Sequence, residues 1–135
     1  MANTLDYTVD GFGGIKEEHG LALSDETSDL VADTAVGSMR IGYAFEITAV
    51  RAAVSTAPTG ATLIIDINLT GTGTIMTTNK LSIDVSEKTS ITAATAAGLT
   101  TTTLAADDEL TFDIDQIGSS VAGTGLKVWI QGYRI

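Results

Sequence analysis

Four oxygen-bearing side chains stand at period-two spacing in two similar stretches: Asp66 and Asn68 within Ala61–Leu69, and Asp113 and Asp115 within Glu109–Asp115. In an extended strand that spacing puts both members of a pair on one face. If the two strands are neighbours, four donors converge, and such a set suits a hard cation such as calcium. Paired carboxylates could also serve glycoside hydrolysis as acid and base. The plainer expectation is a solvated polar face whose carboxylates pair with Lys or Arg. No metal or cofactor is therefore assigned, and the four residues stand only as metal candidates. His19, the single histidine, falls in a glycine-interrupted segment, so a Ser-His-Asp arrangement would have a mobile base. With no cysteine there is no disulfide framework, thiolate metal site or thiol nucleophile. Gly11-Phe12-Gly13-Gly14 lacks the preceding strand, the Lys-Ser/Thr ending and the following helix of a phosphate-cradling loop. The expectation is a protein that is not an enzyme.

The elements that carry these residues are strands. Leu63, Ile65, Ile67 and Leu69 alternate with Thr62, Asp66 and Asn68, the pattern of a strand with one face in a core. Ile64 interrupts the polar face, which implies a partial cover on that side. Leu81–Val85, Leu110–Ile114 and Leu126–Ile130 alternate in the same way, and Ser, Thr, Gly and Pro58 punctuate the ends. Glu46–Ser55 reads as a long strand in which Ile47, Ala49 and Ala53 are interleaved with Thr48 and Val50. Arg51, inside it, is expected to lie along the sheet with its guanidinium paired to a carboxylate. Leu30-Val31-Ala32 reads as the first sheet strand, and the Ala/Thr/Gly tract Ile91–Thr103 is compatible with either a strand or a loop. Seven or eight short strands without helical periodicity predict an all-β fold, a jelly-roll-like antiparallel β-sandwich.

The chain has 135 residues, enough for one domain with its own core. Its 7 basic and 17 acidic residues give a net charge of -10, which excludes the clustered cations that nucleic acid requires. No apolar run approaches bilayer length, and the first residues lack the basic and apolar regions of a secretory signal, so neither membrane nor export is expected. Residues 1–20 are expected to form a flexible N-terminal arm, and residues 21–135 the sandwich. Leu5, Tyr7, Val9, Phe12 and Ile15 in the arm have no face of their own, so they read as anchors that bury on a partner. Lys16–His19 reads as a solvated turn. Trp129 and Tyr133 lie opposite Leu126, Val128 and Ile130 on the last strand. An exposed stripe of that kind serves either a subunit contact or a sugar platform.

Three segments carry a family resemblance. Arg40-Ile41-Gly42-Tyr43-Ala44-Phe45 leads through Ile47–Ala52 to Thr56–Asn68, and Leu110–Ser119 is followed by Gly123–Val128. Together they resemble a β-sandwich module of tailed-bacteriophage virion proteins, found in capsid decoration (cement) proteins and within fibres or spikes. The match runs from about Arg40 to the C-terminus, rests on strand cores and turns, and brings no catalytic residue with it. The resemblance implies a viral structural protein on the outer surface of the capsid, with the major capsid protein as partner and a homotrimer as assembly. The alternative is a host-glycan-binding adhesion module of a tail fibre or head spike, with Trp129 and Tyr133 as its platform.

Overall fold

The computed structural model describes residues 15–135. Among them lie nine strands: β1 (Glu17–Ala22), β2 (Asp33–Arg40), β3 (Phe45–Ala53), β4 (Leu63–Leu69), β5 (Gly73–Thr74), β6 (Leu81–Ile83), β7 (Thr103–Leu104), β8 (Glu109–Gln116) and β9 (Lys127–Arg134). The only helical element among the described residues is a single 3-10 turn, Ser90–Thr92, capped by the Thr89 hydroxyl. One sheet has the order β1-β9-β3-β7; the other runs β2-β8-β4-β5, with β6 also paired to β4. Every pairing is antiparallel, and the pairs are nested: first strand with last, second with next to last. β1 to β4 alternate between the two sheets, as do β8 and β9, so the fold is an antiparallel sandwich of jelly-roll type.

The core follows from the alternation. Leu63, Ile65 and Ile67 of β4, Leu110 and Phe112 of β8, and Val128 and Ile130 of β9 are fully buried between the sheets, with Phe45 at one end. In β3 the alternation changes phase. The pairing with β9 shifts between Ile47 and Ala49, so Ile47, Val50 and Ala52 face the core, rather than Ile47, Ala49 and Ala53. Thr48 is the extra residue of this bulge, which re-aims everything after it. The strands pass so close here that a Cβ on Gly132 would lie 1.9 Å from the Glu46 carbonyl oxygen, so β9 needs glycine at that position.

Two local expectations are corrected. Leu30-Val31-Ala32 is not a strand: Leu30 is buried as a plug, whereas Val31 is 68% exposed, and the strand begins at Asp33. Lys16–His19 is not a solvated turn, because Glu17–Gly20 belong to β1 and pair with Gly132 to Trp129 of β9. The sandwich therefore starts at Glu17, and four residues expected in the arm are sheet residues. The tract Ile91–Thr103 is mostly loop, and only Thr103 enters β7.

Candidate functional site

The oxygen-bearing side chains of β4 and β8 do meet. Asp66 stands directly opposite Asp113 across the two strands, on the outer face of the β2-β8-β4-β5 sheet. The carboxylates already have protein partners. Asp66 Oδ1 accepts from the Thr74 hydroxyl (2.5 Å) and the Ile67 amide (2.9 Å), and lies 3.1 Å from Lys80 Nζ. Asp113 Oδ2 accepts from Asn68 Nδ2 (2.9 Å), while its Oδ1 accepts from the Ala35 amide (2.8 Å). Ala35 sits at φ 50 within the bulge of β2, and this bond holds it there. Although Asp115 is exposed as a residue, partial desolvation of its carboxyl, reinforced by the charges of Asp66 and Asp113, pushes it up, with Lys80 opposing. Among the described residues no group of three or more Asp, Glu or His side chains is placed to share one ion. Lys80 occupies the position that a cation would take against Asp66.

Trp129 and Tyr133 project from the outer face of the other sheet. Trp129 is half-buried, because β1 presents Gly20 beside it; a Cβ there would lie 2.9 Å from Trp129 Cδ1. Arg51 is its neighbour on β3. Between the two aromatics comes Gln131, which donates to Glu18 (3.3 Å). The pair is thus an interrupted row embedded among neighbours, not the exposed stripe that was expected. Of the five arm anchors, Ile15 precedes β1 and is exposed, while Leu5, Tyr7, Val9 and Phe12 lie outside the described residues.

A polar cluster that sequence reasoning missed closes one edge of the sandwich. Tyr43 donates its hydroxyl to Glu17 Oε1 (2.6 Å) and lies 3.1 Å from His19 Nε2, while Arg134 Nε donates to Glu17 Oε2 (2.6 Å). The Arg134 guanidinium stacks 3.8 Å above the Tyr43 ring, and the His19 ring meets Phe45 edge-on. Burial pushes the Glu17 carboxyl up, but the Tyr43 and Arg134 hydrogen bonds, aided by the Arg134 and His19 charges, outweigh it and hold it below its ordinary value. Burial and the neighbouring Glu17 raise the Tyr43 phenol. A depressed carboxyl is a poor general base and a raised phenol a poor nucleophile at neutral pH. The arrangement suits a clamp that fixes edge strand β1 to β9 and to the turn before β3. His19, expected in a mobile arm, is part of it.

A cavity of about 540 Å3 lies beside β3. Strand β7 pairs only with Phe45 and Glu46, and among the described residues the rest of that edge of β3 has no strand partner apart from the bridge Ala53 to Thr89. The loop between the 3-10 turn and β7 arches over the gap, tied down at both ends. Ile47 N–H donates to Thr102 O (2.7 Å), and Ala52 N–H donates to Ser90 Oγ (2.9 Å). Hydrogen bonds from the Thr102 and Thr103 hydroxyls, both 2.6 Å, hold the Glu46 carboxyl below its ordinary value and pin the loop. Leu81, Ala97 and Leu99 contribute its apolar lining, and Thr48 and Arg51 line it as well. Arg51 donates to Val50 O (3.0 Å). Contrary to expectation, it makes no ion pair with a carboxylate among the described residues.

Comparisons with protein families, with characterised proteins and with solved structures find no match for this chain. The resemblance to phage virion modules therefore rests on the quoted segments alone. Those segments form β3, β4, β8 and the start of β9 in the sandwich.

Proposed function

We propose that the protein is a bacteriophage capsid decoration protein, a non-enzymatic cement that binds the outside of an assembled head as a homo-oligomer and stabilises it. The observation that carries this reading is the way the chain enters the sandwich. β1 is an edge strand clamped by Tyr43 and Arg134, and further upstream the sequence carries period-two apolar residues, Leu5, Tyr7 and Val9. A sandwich preceded in sequence by a segment of strand-like alternation is suited to β-addition onto another protein. Ordering such a segment costs roughly 1–2 kcal/mol per residue, so attachment must bury its apolar side chains on the partner. Three such segments in one trimer would reinforce each other by effective concentration. The acidic body, at net charge -10, keeps free copies apart without opposing an apolar contact.

The glycan-binding alternative requires Trp129 and Tyr133 to present an open aromatic platform. Trp129 resting beside Gly20, with Gln131 between the two rings, gives that reading less support. Co-sedimentation with heads of the phage that encodes the chain tests the choice. Removing residues 1–14 abolishes binding in the decoration reading, whereas Trp129→Ala abolishes it in the glycan reading.

A further inference from the structure

The cavity beside β3 follows from short strands and small side chains. β6 has three residues and β7 two, so neither continues along it, and a loop bridges the gap. Residues Ala93–Gly98 of that loop are only Ala, Thr and Gly, too small to fill the space they enclose to normal packing density. The loop is nevertheless held at several points. Ala94 N–H donates to Asp84 Oδ2 (2.8 Å), Thr77 N–H to Gly98 O (3.0 Å) and Gly98 N–H to Asn79 O (2.9 Å), besides the ties to Ile47 and Ala52. The cavity of about 540 Å3 is therefore preformed, and it falls within the roughly 300–1,000 Å3 of ordinary ligand clefts.

Its lining has an apolar and a cationic part. Leu81, Ala97 and Leu99 are joined there by Ile91, which at 72% is the most exposed large hydrophobic among the described residues. The cation is Arg51. Of the chain's 7 cations, Arg40, Lys80, Lys127 and Arg134 pair with carboxylates, and Lys16 and Lys88 are exposed to solvent. Arg51 alone is half-buried with no carboxylate partner among the described residues, although acidic side chains outnumber basic ones by 17 to 7. Its bond to Val50 O uses one of the five N–H donors of a guanidinium.

We propose that this cavity binds a small aliphatic carboxylate, its anionic head on Arg51 and its hydrocarbon tail against Ile91 and Leu99. A guanidinium matches a carboxylate through two parallel hydrogen bonds, and a neutral ligand would leave that capacity unused. A body of net charge -10 repels a multiply charged anion more than a monoanion. The tail covers Ile91, which no other part of the described chain does. The backbone bonds of β3 stay as they are, and a preformed cavity keeps the ordering cost of binding low. The site is independent of the attachment reading, and neither needs the other.

Isothermal titration of the full chain at neutral pH with acetate, butyrate and hexanoate tests it, with hexanol as the neutral control. Each buried methylene tightens binding about fourfold, so hexanoate should bind roughly fifteenfold more tightly than butyrate, one molecule per chain. Arg51→Met keeps the aliphatic stem and removes the charge. It should weaken hexanoate at least about tenfold, the loss expected for a charge-assisted hydrogen bond, and leave hexanol unchanged. Arg51→Lys should restore part of the loss. In the unmutated protein, amide shifts on adding hexanoate should concentrate at Ile91, Ala97 and Leu99. The absence of saturable binding by any of the acids overturns the proposal. So does equal affinity in Arg51→Met, or a set of shifted amides elsewhere in the sandwich.

Discussion

Tyr43→Phe removes one oxygen atom from the edge clamp and leaves its packing in place. The ring keeps its contacts with His19 and Phe45 and its place under the Arg134 guanidinium. What goes is the 2.6 Å hydrogen bond to Glu17, whose side chain is only 17% exposed, so water replaces the lost donor poorly, along with the 3.1 Å contact to His19 Nε2. A hydrogen bond to a charged group contributes about 1.5–3 kcal/mol, and Glu17 keeps Arg134, so the lower part of that range is expected. In a domain of this size that lowers the melting temperature by roughly 5–10 °C. The pH dependence follows from the sign of the Glu17 shift. Its folded-state value lies below the ordinary one, so the clamp contributes fully above the usual carboxyl range near 4.5 and is lost as pH falls through the folded-state value. Urea denaturation of wild type and Tyr43→Phe at pH 7 and again near pH 3 measures both. A difference below about 0.5 kcal/mol at pH 7 refutes the clamp, since an ordinary neutral hydrogen bond already contributes that much. A difference that persists undiminished at low pH refutes the ionic origin.

Other parts of the structure carry their own predictions. Ile65→Ala, at a fully buried position in β4, should cost about 2–5 kcal/mol by denaturant titration, and a loss under 0.5 kcal/mol would mean the strand faces the other way. Asp115→Asn should raise the melting temperature at pH 7. Asp115 is exposed as a residue, but partial desolvation and the charges of Asp66 and Asp113 raise its carboxyl, so its ionised form is mildly disfavoured in the folded state; the small gain should vanish below the ordinary carboxyl value near 3.8. An unchanged or lower midpoint at pH 7 contradicts that placement.

The long strands were legible because period-two alternation needs only apolar residues on one face, as in Leu63–Leu69 and Leu110–Ile114. β1 was not. Two of its three inward side chains, Glu17 and His19, are polar, and they are tolerated there only because Tyr43 and Arg134, distant in sequence, satisfy them. The β3 register was misread for a related reason. A bulge at Thr48 shifts the phase by one residue, and Thr-Ala-Val carries no local sign of it. The convergence of Asp66 with Asp113 was foreseen as a condition on the strands being neighbours, which they are. What sequence could not supply was Lys80, brought from beyond the β4–β5 turn to sit against Asp66. Arg51 shows the reverse. Its expected carboxylate is missing among the described residues, because its side chain folds back to the Val50 carbonyl at the sheet edge.

The central claim, attachment to the outside of a phage head through the residues before β1, is tested most directly by electron microscopy. Phage heads of the kind the proposal assigns as partner, free of the protein, would be incubated with wild-type protein or with protein lacking residues 1–14, and both maps reconstructed. The account predicts sandwich-sized density on the outer surface with wild type, joined to the capsid subunits through an added strand, and bare heads with the truncated protein. Equal occupancy by both proteins, or no density with either, would contradict it.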